Sequence, residues 1–97
     1  MNQVISKNET VSERDIEMLK ALAHPVRLKI VKELMKRGKC NVKELTNLLH
    51  LPQSSISQCL NKLKNAKIVT YERFGTEVVY YMKNPKVGSL MGVLFSR

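Results

Sequence analysis

Apolar side chains recur three and four residues apart along most of the chain, which is the spacing of a single buried helix face. The first such stretch follows Thr10 or Ser12, either of which can cap a helix, and runs to about Ala23. Residues 1–9 precede it as a loosely held leader. The pattern predicts a first amphipathic helix with a face made of Ile16, Leu19, Leu22 and Ala23.

Two signals bound a second helix. His24-Pro25 ends the first one, because a residue before proline is pushed out of the helical region, and proline suits the first turn of the next helix. Gly38 then fits the conformation that commonly follows a helix end. The predicted core face between them consists of Leu28, Val31, Leu34 and Met35.

A short turn separates the next two predicted helices. Asn41 and Glu44 have the spacing of a capping box, and the helix that they start ends near His50. Another helix follows at once, from about Gln53 to Asn65, with serines and amides on one side. Two such helices joined by a short turn are typical of a helix-turn-helix.

The last third of the chain predicts a hairpin and a helix. Residues 68–73 and 77–82 are rich in β-branched and aromatic side chains, and residues 74–76 place a glycine where a tight turn needs a positive φ. Asn84-Pro85 starts a final helix with apolar positions at Val87, Leu90, Met91, Leu94 and Phe95. We therefore predict a mainly α fold with a small β-hairpin, a winged helix-turn-helix, over residues 10–97.

The second helix of the helix-turn-helix has two faces. At about 100° per residue, Ile56, Leu60 and Leu63 share one side, and polar side chains lie opposite. No acidic residue occurs from position 45 to position 70. Serine and amide groups can bond to base edges in a major groove, and lysines can contact phosphates. The predicted DNA-contacting residues are Gln53, Ser54, Ser55, Ser57, Gln58, Asn61, Lys62 and Lys64, with Arg73 beside the hairpin turn.

Some of these positions also have a plainer interpretation. Ser54 and Ser55 stand where a helix start needs caps, and Arg73 can be a freely solvated turn residue. Gln58 and Asn61 lie within the helix and point outward, which favours contact with DNA.

Charge is distributed unevenly along the chain. The net charge is +9, of which residues 1–24 contribute −1, while residues 25–59 and residues 60–97 contribute +5 each. A basic excess that begins near the predicted helix-turn-helix favours double-stranded DNA as the partner. The alternative is a winged helix that docks a protein partner or forms heterodimers and has given up DNA, but the acid-free face argues against it.

Other classes of protein find little support in the sequence. It shows no Ser/His/Asp arrangement, no paired carboxylates in an apolar setting and no phosphate-binding glycine loop, so we do not expect an enzyme. The apolar stretch at residues 87–95 is far shorter than the roughly 20 residues of a membrane span. No signal-type segment is visible, and we expect a cytoplasmic protein with reduced thiols.

Three stretches together resemble the ArsR/SmtB family of small bacterial winged-helix repressors. They are residues 19–31, which contain Ala-His-Pro-Val-Arg, residues 51–63, which contain Gln-Ser-Ser-Ile-Ser, and Tyr80-Tyr81-Met82. The resemblance spans about residues 15–95 and implies a repressor that forms a homodimer through its first and last helices. Such a dimer would present two recognition helices to an inverted-repeat operator. The interface residues so predicted are Ile16, Leu19, Val87, Leu90, Met91 and Leu94.

Many members of that family release DNA when a metal binds, but the ligands are missing here. One type of site uses a Cys-x-Cys pair before the helix-turn-helix, where this chain has only Cys40 with Lys43 nearby. A single thiolate cannot hold zinc or a similar ion. The other type needs carboxylate and imidazole ligands on the last helix, which has none. We predict no metal and no other cofactor, as in metal-independent members of the family.

Two cysteines leave a regulatory hypothesis open. Cys59 replaces a histidine that is usual in the family, and packing as a small hydrophobe is its plainer interpretation. Alternatively, Cys40 and Cys59 form a thiol switch whose oxidation displaces the recognition helix. In that case Lys39 and Lys43 would lower the pKa of Cys40.

Overall fold

The computed structural model describes residues 11–96, so the predicted leader at residues 1–9, Thr10 and Arg97 lie outside the described residues. Its helices and strands follow one another in the order expected of a winged helix-turn-helix, which confirms that prediction. None of these helices is long and apolar enough to cross a membrane. The elements are α1 (Glu13–Leu22), α2 (Pro25–Arg37), β1 (Lys39–Asn41), α3 (Val42–Leu49), α4 (Gln53–Asn65), β2 (Val69–Phe74), β3 (Glu77–Met82) and α5 (Pro85–Phe95).

The predicted helix boundaries are confirmed by their caps. The Ser12 hydroxyl accepts a hydrogen bond from the backbone N–H of Arg14 at 3.1 Å and so begins α1. His24 begins α2 in the same way through its Nδ1 atom, with Pro25 in the first turn. Gly38 ends α2 with a φ of 91°, a value that residues other than glycine rarely adopt. Local signals therefore divide this part of the chain as predicted.

The sequence pattern does not predict β1. This strand pairs antiparallel with β3, with Cys40 opposite Tyr80, so the hairpin belongs to a three-stranded sheet in the order β1-β3-β2. A three-residue strand that follows a helix-ending glycine, and whose last residue caps the next helix, is too short to show the alternation of a strand. As a result, the segment that leads into α3 is fastened to the hairpin.

The hairpin turn is one residue shorter than predicted. Phe74 pairs with Glu77, which leaves only Gly75 and Thr76 in the turn. Gly75 has a φ of 64°, the positive value that a type II′ turn requires at its first position. A two-residue turn of this kind keeps β2 and β3 closely paired up to their tip.

The core draws one stripe from each helix. The predicted Ile56, Leu60 and Leu63 of α4 are buried, as are Val31 and Leu34 of α2. The buried apolar residues are Met18, Leu22, Ile30, Val31, Leu34, Cys40, Leu45, Ile56, Cys59, Leu60, Leu63, Ile68, Val69, Val87 and Met91. The helix-turn-helix is therefore held by a core shared with α1, α2, the sheet and α5.

Several predicted faces need correction. Helix α1 meets the core through Met18 and Leu22, so Ile16 and Leu19 stay exposed on its next face. Because successive residues differ by about 100°, a short helix that packs on the core with one side, here against α2 and α4, buries only one such stripe. Met35 of α2 is likewise exposed, and Ile30, which was not predicted, takes its place in the core.

The last helix also divides differently from the prediction. Val87 and Met91 are 0% and 1% exposed within the single chain, so they belong to its core and offer no surface to a second subunit. Leu90 is half-buried against the core, and Leu94 is 58% exposed. The prediction that Val87 and Met91 line a dimer interface is therefore wrong.

Replacing Leu34 by alanine should lower the free energy of unfolding by about 2–5 kcal/mol, because it leaves a cavity in the core. Met35→Ala is the matched control, since Met35 follows it in α2 but is 39% exposed, whereas Leu34 is 0% exposed. Urea denaturation at one protein concentration measures both. Equal losses in the two variants would contradict the assignment of the core.

Candidate nucleic-acid interface

The turn between α3 and α4 sets the direction of α4. Asn41 and Glu44 form the predicted capping box at the start of α3. The helix ends at His50, which adopts the left-handed conformation with a φ of 57°, and Pro52 then begins α4. Buried Leu45 of α3 belongs to the same core cluster as the buried stripe of α4. Helix α4 is thus held on one side, with its other side outward.

The outward side of α4 carries the predicted residues. Ser55 and Lys64 are partly buried, at the edge of this face, while Ile56, Leu60 and Leu63 lie beneath it. The prediction of which side faces outward is therefore confirmed. The exposed members are Gln53, Ser54, Ser57, Gln58, Asn61 and Lys62.

The start of α4 has no side-chain cap. Its N-cap residue is Pro52, and no side chain in this part of the chain accepts a hydrogen bond from the first turn. The alternative interpretation, in which Ser54 and Ser55 cap this helix, is therefore wrong. Uncapped N–H groups at a helix start, with the positive end of the helix dipole, suit an anion such as a DNA phosphate.

The hairpin and α4 are joined by aromatic contacts. We call β2, β3 and the Gly75-Thr76 turn the wing. The Lys64 ammonium of α4 lies 5.4 Å from the ring centre of Tyr71 in β2, and that ring is 5.7 Å from the ring of Tyr80 in β3. Because alternate residues of a strand share a face, exposed Arg73 lies on the same face of the wing as Tyr71.

The acidic residues of the wing lie on its other face. Glu72 and Glu77 alternate with the residues that face α4, and β1 supplies a partner for each. The Lys39 ammonium is 3.0 Å from Glu72 Oε1, and the Asn41 amide nitrogen donates to Glu77 Oε2 at 2.8 Å. The face of the wing that adjoins α4 therefore carries Arg73 and no acid.

The two cysteines of the thiol-switch hypothesis are both core residues. Cys40 is buried in β1 and Cys59 is buried in α4. Burial raises the pKa of the Cys40 thiol, and the carboxylates of Glu44 and Glu33 add to the rise against an opposing effect of Arg37. The expectation that Lys39 and Lys43 lower this pKa is wrong. The Lys39 ammonium instead pairs with Glu72.

The histidines have structural positions. His24 caps α2, and His50 ends α3. Among residues 11–96, no group of three or more His, Cys, Asp or Glu side chains comes together in a way that could hold a metal ion.

Comparison with known proteins identifies the family. The family described as "Bacterial regulatory protein, arsR family" matches residues 24–71, from the start of α2 into β2. The transcriptional repressor PagR of Bacillus anthracis is 45% identical over 82 residues, which are 84% of this chain and 82% of PagR. The chain belongs to the arsR family of bacterial regulatory proteins. The resemblance found in the sequence is thereby confirmed.

Solved structures and other relatives agree with this membership. The crystal structure of PagR matches with a TM-score of 0.80 over 84% of this chain and 93% of that one. The arsenical resistance operon repressor of Bacillus subtilis is 39% identical over 75 residues, 77% of this chain and 71% of the relative. The homodimeric winged helix-turn-helix DNA-binding domain Mb0332 of Mycobacterium bovis matches with a TM-score of 0.77 at 26% identity, over 84% and 75% of the two chains. This ArsR-family protein is a transcription regulator with a winged helix-turn-helix fold.

The buried thiol gives a test of the site's chemistry. In the folded regulator, iodoacetamide at neutral pH should modify Cys40 at least about tenfold more slowly than in the urea-unfolded chain, since only the thiolate reacts. In the folded protein the rate should go on increasing to a higher pH than in the unfolded chain, because burial raises the pKa of this thiol. Mass spectrometry of a Cys59→Ser variant follows Cys40 alone. Rapid labelling of the folded protein at neutral pH would contradict the assignment.

Proposed function

We propose that this regulator is a sequence-specific DNA-binding repressor that acts as a homodimer on an inverted-repeat operator. The observation that carries the proposal is the outward face of α4, which is exposed, polar and free of acids beside the basic face of the wing. PagR, which this chain matches over most of both lengths, is named a transcriptional repressor. An acid-free surface rich in amides and hydroxyls suits a groove lined by phosphates.

The exposed side chains of α4 divide into two roles. Gln58 and Asn61 lie within the helix and face outward, where their amides can pair with base edges. Lys62 and the uncapped start of the helix contact phosphates, which position the protein without reading sequence. Arg73 reaches the adjacent minor groove or backbone from the wing. Ser54, Ser55, Ser57 and Lys64 border these contacts.

The second subunit covers the exposed apolar residues of α1 and α5. Leu19 is 51% exposed and Leu94 is 58% exposed, and the Lys86 ammonium of α5 lies 3.4 Å from Asp15 Oδ1 of α1, so the two helices are neighbours. Mb0332, which shares this fold, is described as homodimeric. A two-fold dimer gives two copies of α4 the symmetry of an inverted repeat. We assign to this interface Ile16, Leu19, Leu90, Val93 and Leu94.

A protein-interaction module without DNA binding is the competing function. A mobility-shift assay of the wild-type regulator with DNA from its own promoter region, against random DNA of equal length, separates the two. Binding of the promoter fragment alone, with a steep loss of affinity as salt rises, supports a repressor, since phosphate contacts release counterions. Equal binding of both DNAs, or binding of neither, would contradict it.

Replacing Gln58 by alanine should reduce the discrimination between operator and random DNA by about 1–3 kcal/mol, because a base contact is lost. Lys62→Ala is the matched control, since it removes only a phosphate contact. It should weaken binding to both DNAs alike and reduce the slope of log affinity against log salt by about 1. Fluorescence anisotropy titrations at several salt concentrations measure both effects. If Gln58→Ala weakened both DNAs equally, Gln58 would not read sequence.

Replacing Leu94 by aspartate should raise the dissociation constant of the dimer at least about tenfold, because it places a charge at the centre of an apolar contact. Phe74→Asp is the control, since Phe74 is comparably exposed but lies at the tip of the wing. Sedimentation velocity over a range of protein concentrations distinguishes monomer from dimer. A Leu94→Asp variant that stayed as dimeric as the wild type would exclude this interface.

A further inference from the structure

Asn41 makes three hydrogen bonds that connect β1 to other elements. Its backbone N–H donates to Glu44 Oε1 at 2.8 Å, and its side-chain Oδ1 accepts from the Glu44 backbone N–H at 2.8 Å. Its Nδ2 donates to Glu77 Oε2, also at 2.8 Å. The first two bonds cap α3, and the third reaches the wing. One side chain therefore connects the start of the helix-turn-helix to the wing.

The contact between Asn41 and Glu77 lies where the pairing of β1 with the wing ends. The pairing of β1 with β3 ends at Asn41 and Val79. Beyond that pair, Glu77 and the turn have only β2 beside them. Asn41 reaches diagonally to the residue two positions further toward the tip, a distance that a long side chain can span. The Asn41 amide thus supports the tip of the wing, which lies beyond the backbone hydrogen bonds between β1 and β3.

A second contact, between Lys39 and Glu72, also fastens the wing to β1 on the same face of the sheet. The Lys39 ammonium pairs with Glu72 at 3.0 Å and lies 5.4 Å and 5.7 Å from the ring centres of Tyr81 and Phe74. Lys39 and Asn41 alternate with buried Cys40, so both point to the face of the sheet away from α4. Each holds one wing carboxylate on that face.

We propose that Asn41 is a positioning residue that orients the wing relative to α4 and keeps the wing carboxylates away from DNA. This rests on the DNA-binding function proposed above. Arg73 lies on the opposite face of β2, so a twist of the wing that brought Glu72 or Glu77 toward the phosphates would carry Arg73 away from them. The contact between Asn41 and Glu77 resists that twist.

The contact between Asn41 and Glu77 contributes little to the stability of the fold. An effect of this contact on the orientation of the wing can therefore be distinguished from an effect on folding. The hydrogen bond between these two side chains is exposed to solvent, where an interaction with a carboxylate contributes little to the free energy of unfolding. Removing the contact should therefore leave the unfolding transition almost unchanged while the wing loses its orientation. A residue that served only the fold would show the reverse.

An exchange of the donor and the acceptor tests the proposal. Asn41→Asp keeps the helix cap, since aspartate and asparagine cap equally well, but it sets a carboxylate against Glu77. Glu77→Gln alone keeps a hydrogen bond between two amides. The double variant Asn41→Asp/Glu77→Gln restores a charge-assisted bond in the opposite sense, with the net charge of the wild type. Operator affinity, hydrogen exchange of residues 72–79 in the free protein, and the unfolding temperature are measured for all four proteins.

We expect Asn41→Asp to lower operator affinity about three- to tenfold and to speed exchange in the wing, and the double variant to return both to within about twofold of the wild type. An Asn41→Asp variant with wild-type affinity, or a double variant that stays as weak as the single one, would overturn the proposal. Failure of the DNA-binding function shows separately, as a wild-type protein that does not distinguish operator from random DNA. In that case, equal rates of hydrogen exchange at residues 72–79 in all four proteins would still disprove the contact between Asn41 and Glu77. Faster exchange in Asn41→Asp alone would establish that this contact supports the wing but has no role in DNA binding.

Discussion

The burial of one stripe of α4 determines the rest of the interface. Ile56, Leu60 and Leu63 are almost fully removed from water, and burying side chains of this size stabilises the fold by about 1.5–3 kcal/mol each. Rotating α4 about its axis would expose this stripe and bury amides and lysines without partners, at a higher cost still. The outward direction of Gln58 and Asn61 is therefore a consequence of core packing. Residues inside the core thus fix the face that α4 presents to solvent, which is the face proposed to meet DNA.

The sheet sorts charge by the same kind of constraint. Alternation along β2 places Tyr71 and Arg73 on the face toward α4, and Glu72 on the other face. Short β1 then matters more than its length suggests, because it brings Lys39 and Asn41 to the acidic face. Packing of α4 and alternation in the wing thus place the polar face of α4 and the acid-free face of the wing next to each other.

A feature of the fold could be predicted from the sequence when the residues that cause it lie close together along the chain. The caps at Ser12, His24 and Gly38, and the capping box at Asn41, involve neighbours within four residues, so a short stretch of sequence contains the whole interaction. The outward face of α4 followed from a regular spacing of apolar residues. Strand β1 could not be predicted, since three residues become a strand only when β3, some forty positions away, pairs with them.

The errors at α1 and α5 have a different cause. An apolar residue on a helix can face its own core or a second subunit, and the spacing of Val87, Leu90, Met91 and Leu94 is the same in both cases. Only the tertiary packing separates buried Val87 and Met91 from exposed Leu94. The prediction for the pKa of Cys40 was wrong for a similar reason, because lysines lie close to it along the chain, whereas burial and the carboxylates of Glu44 and Glu33 act on it in the folded protein.

The segment before the helix-turn-helix combines these local and distant constraints. Cys40 in this segment is buried, and burial raises the pKa of its thiol, which disfavours the thiolate form. Its side chain fills the core beneath the sheet, while Lys39 and Asn41 on either side reach across to the wing. Packing on one face and hydrogen bonds on the other hold this segment in place. A segment held in this way is suited to keeping α4 and the wing in one fixed relation.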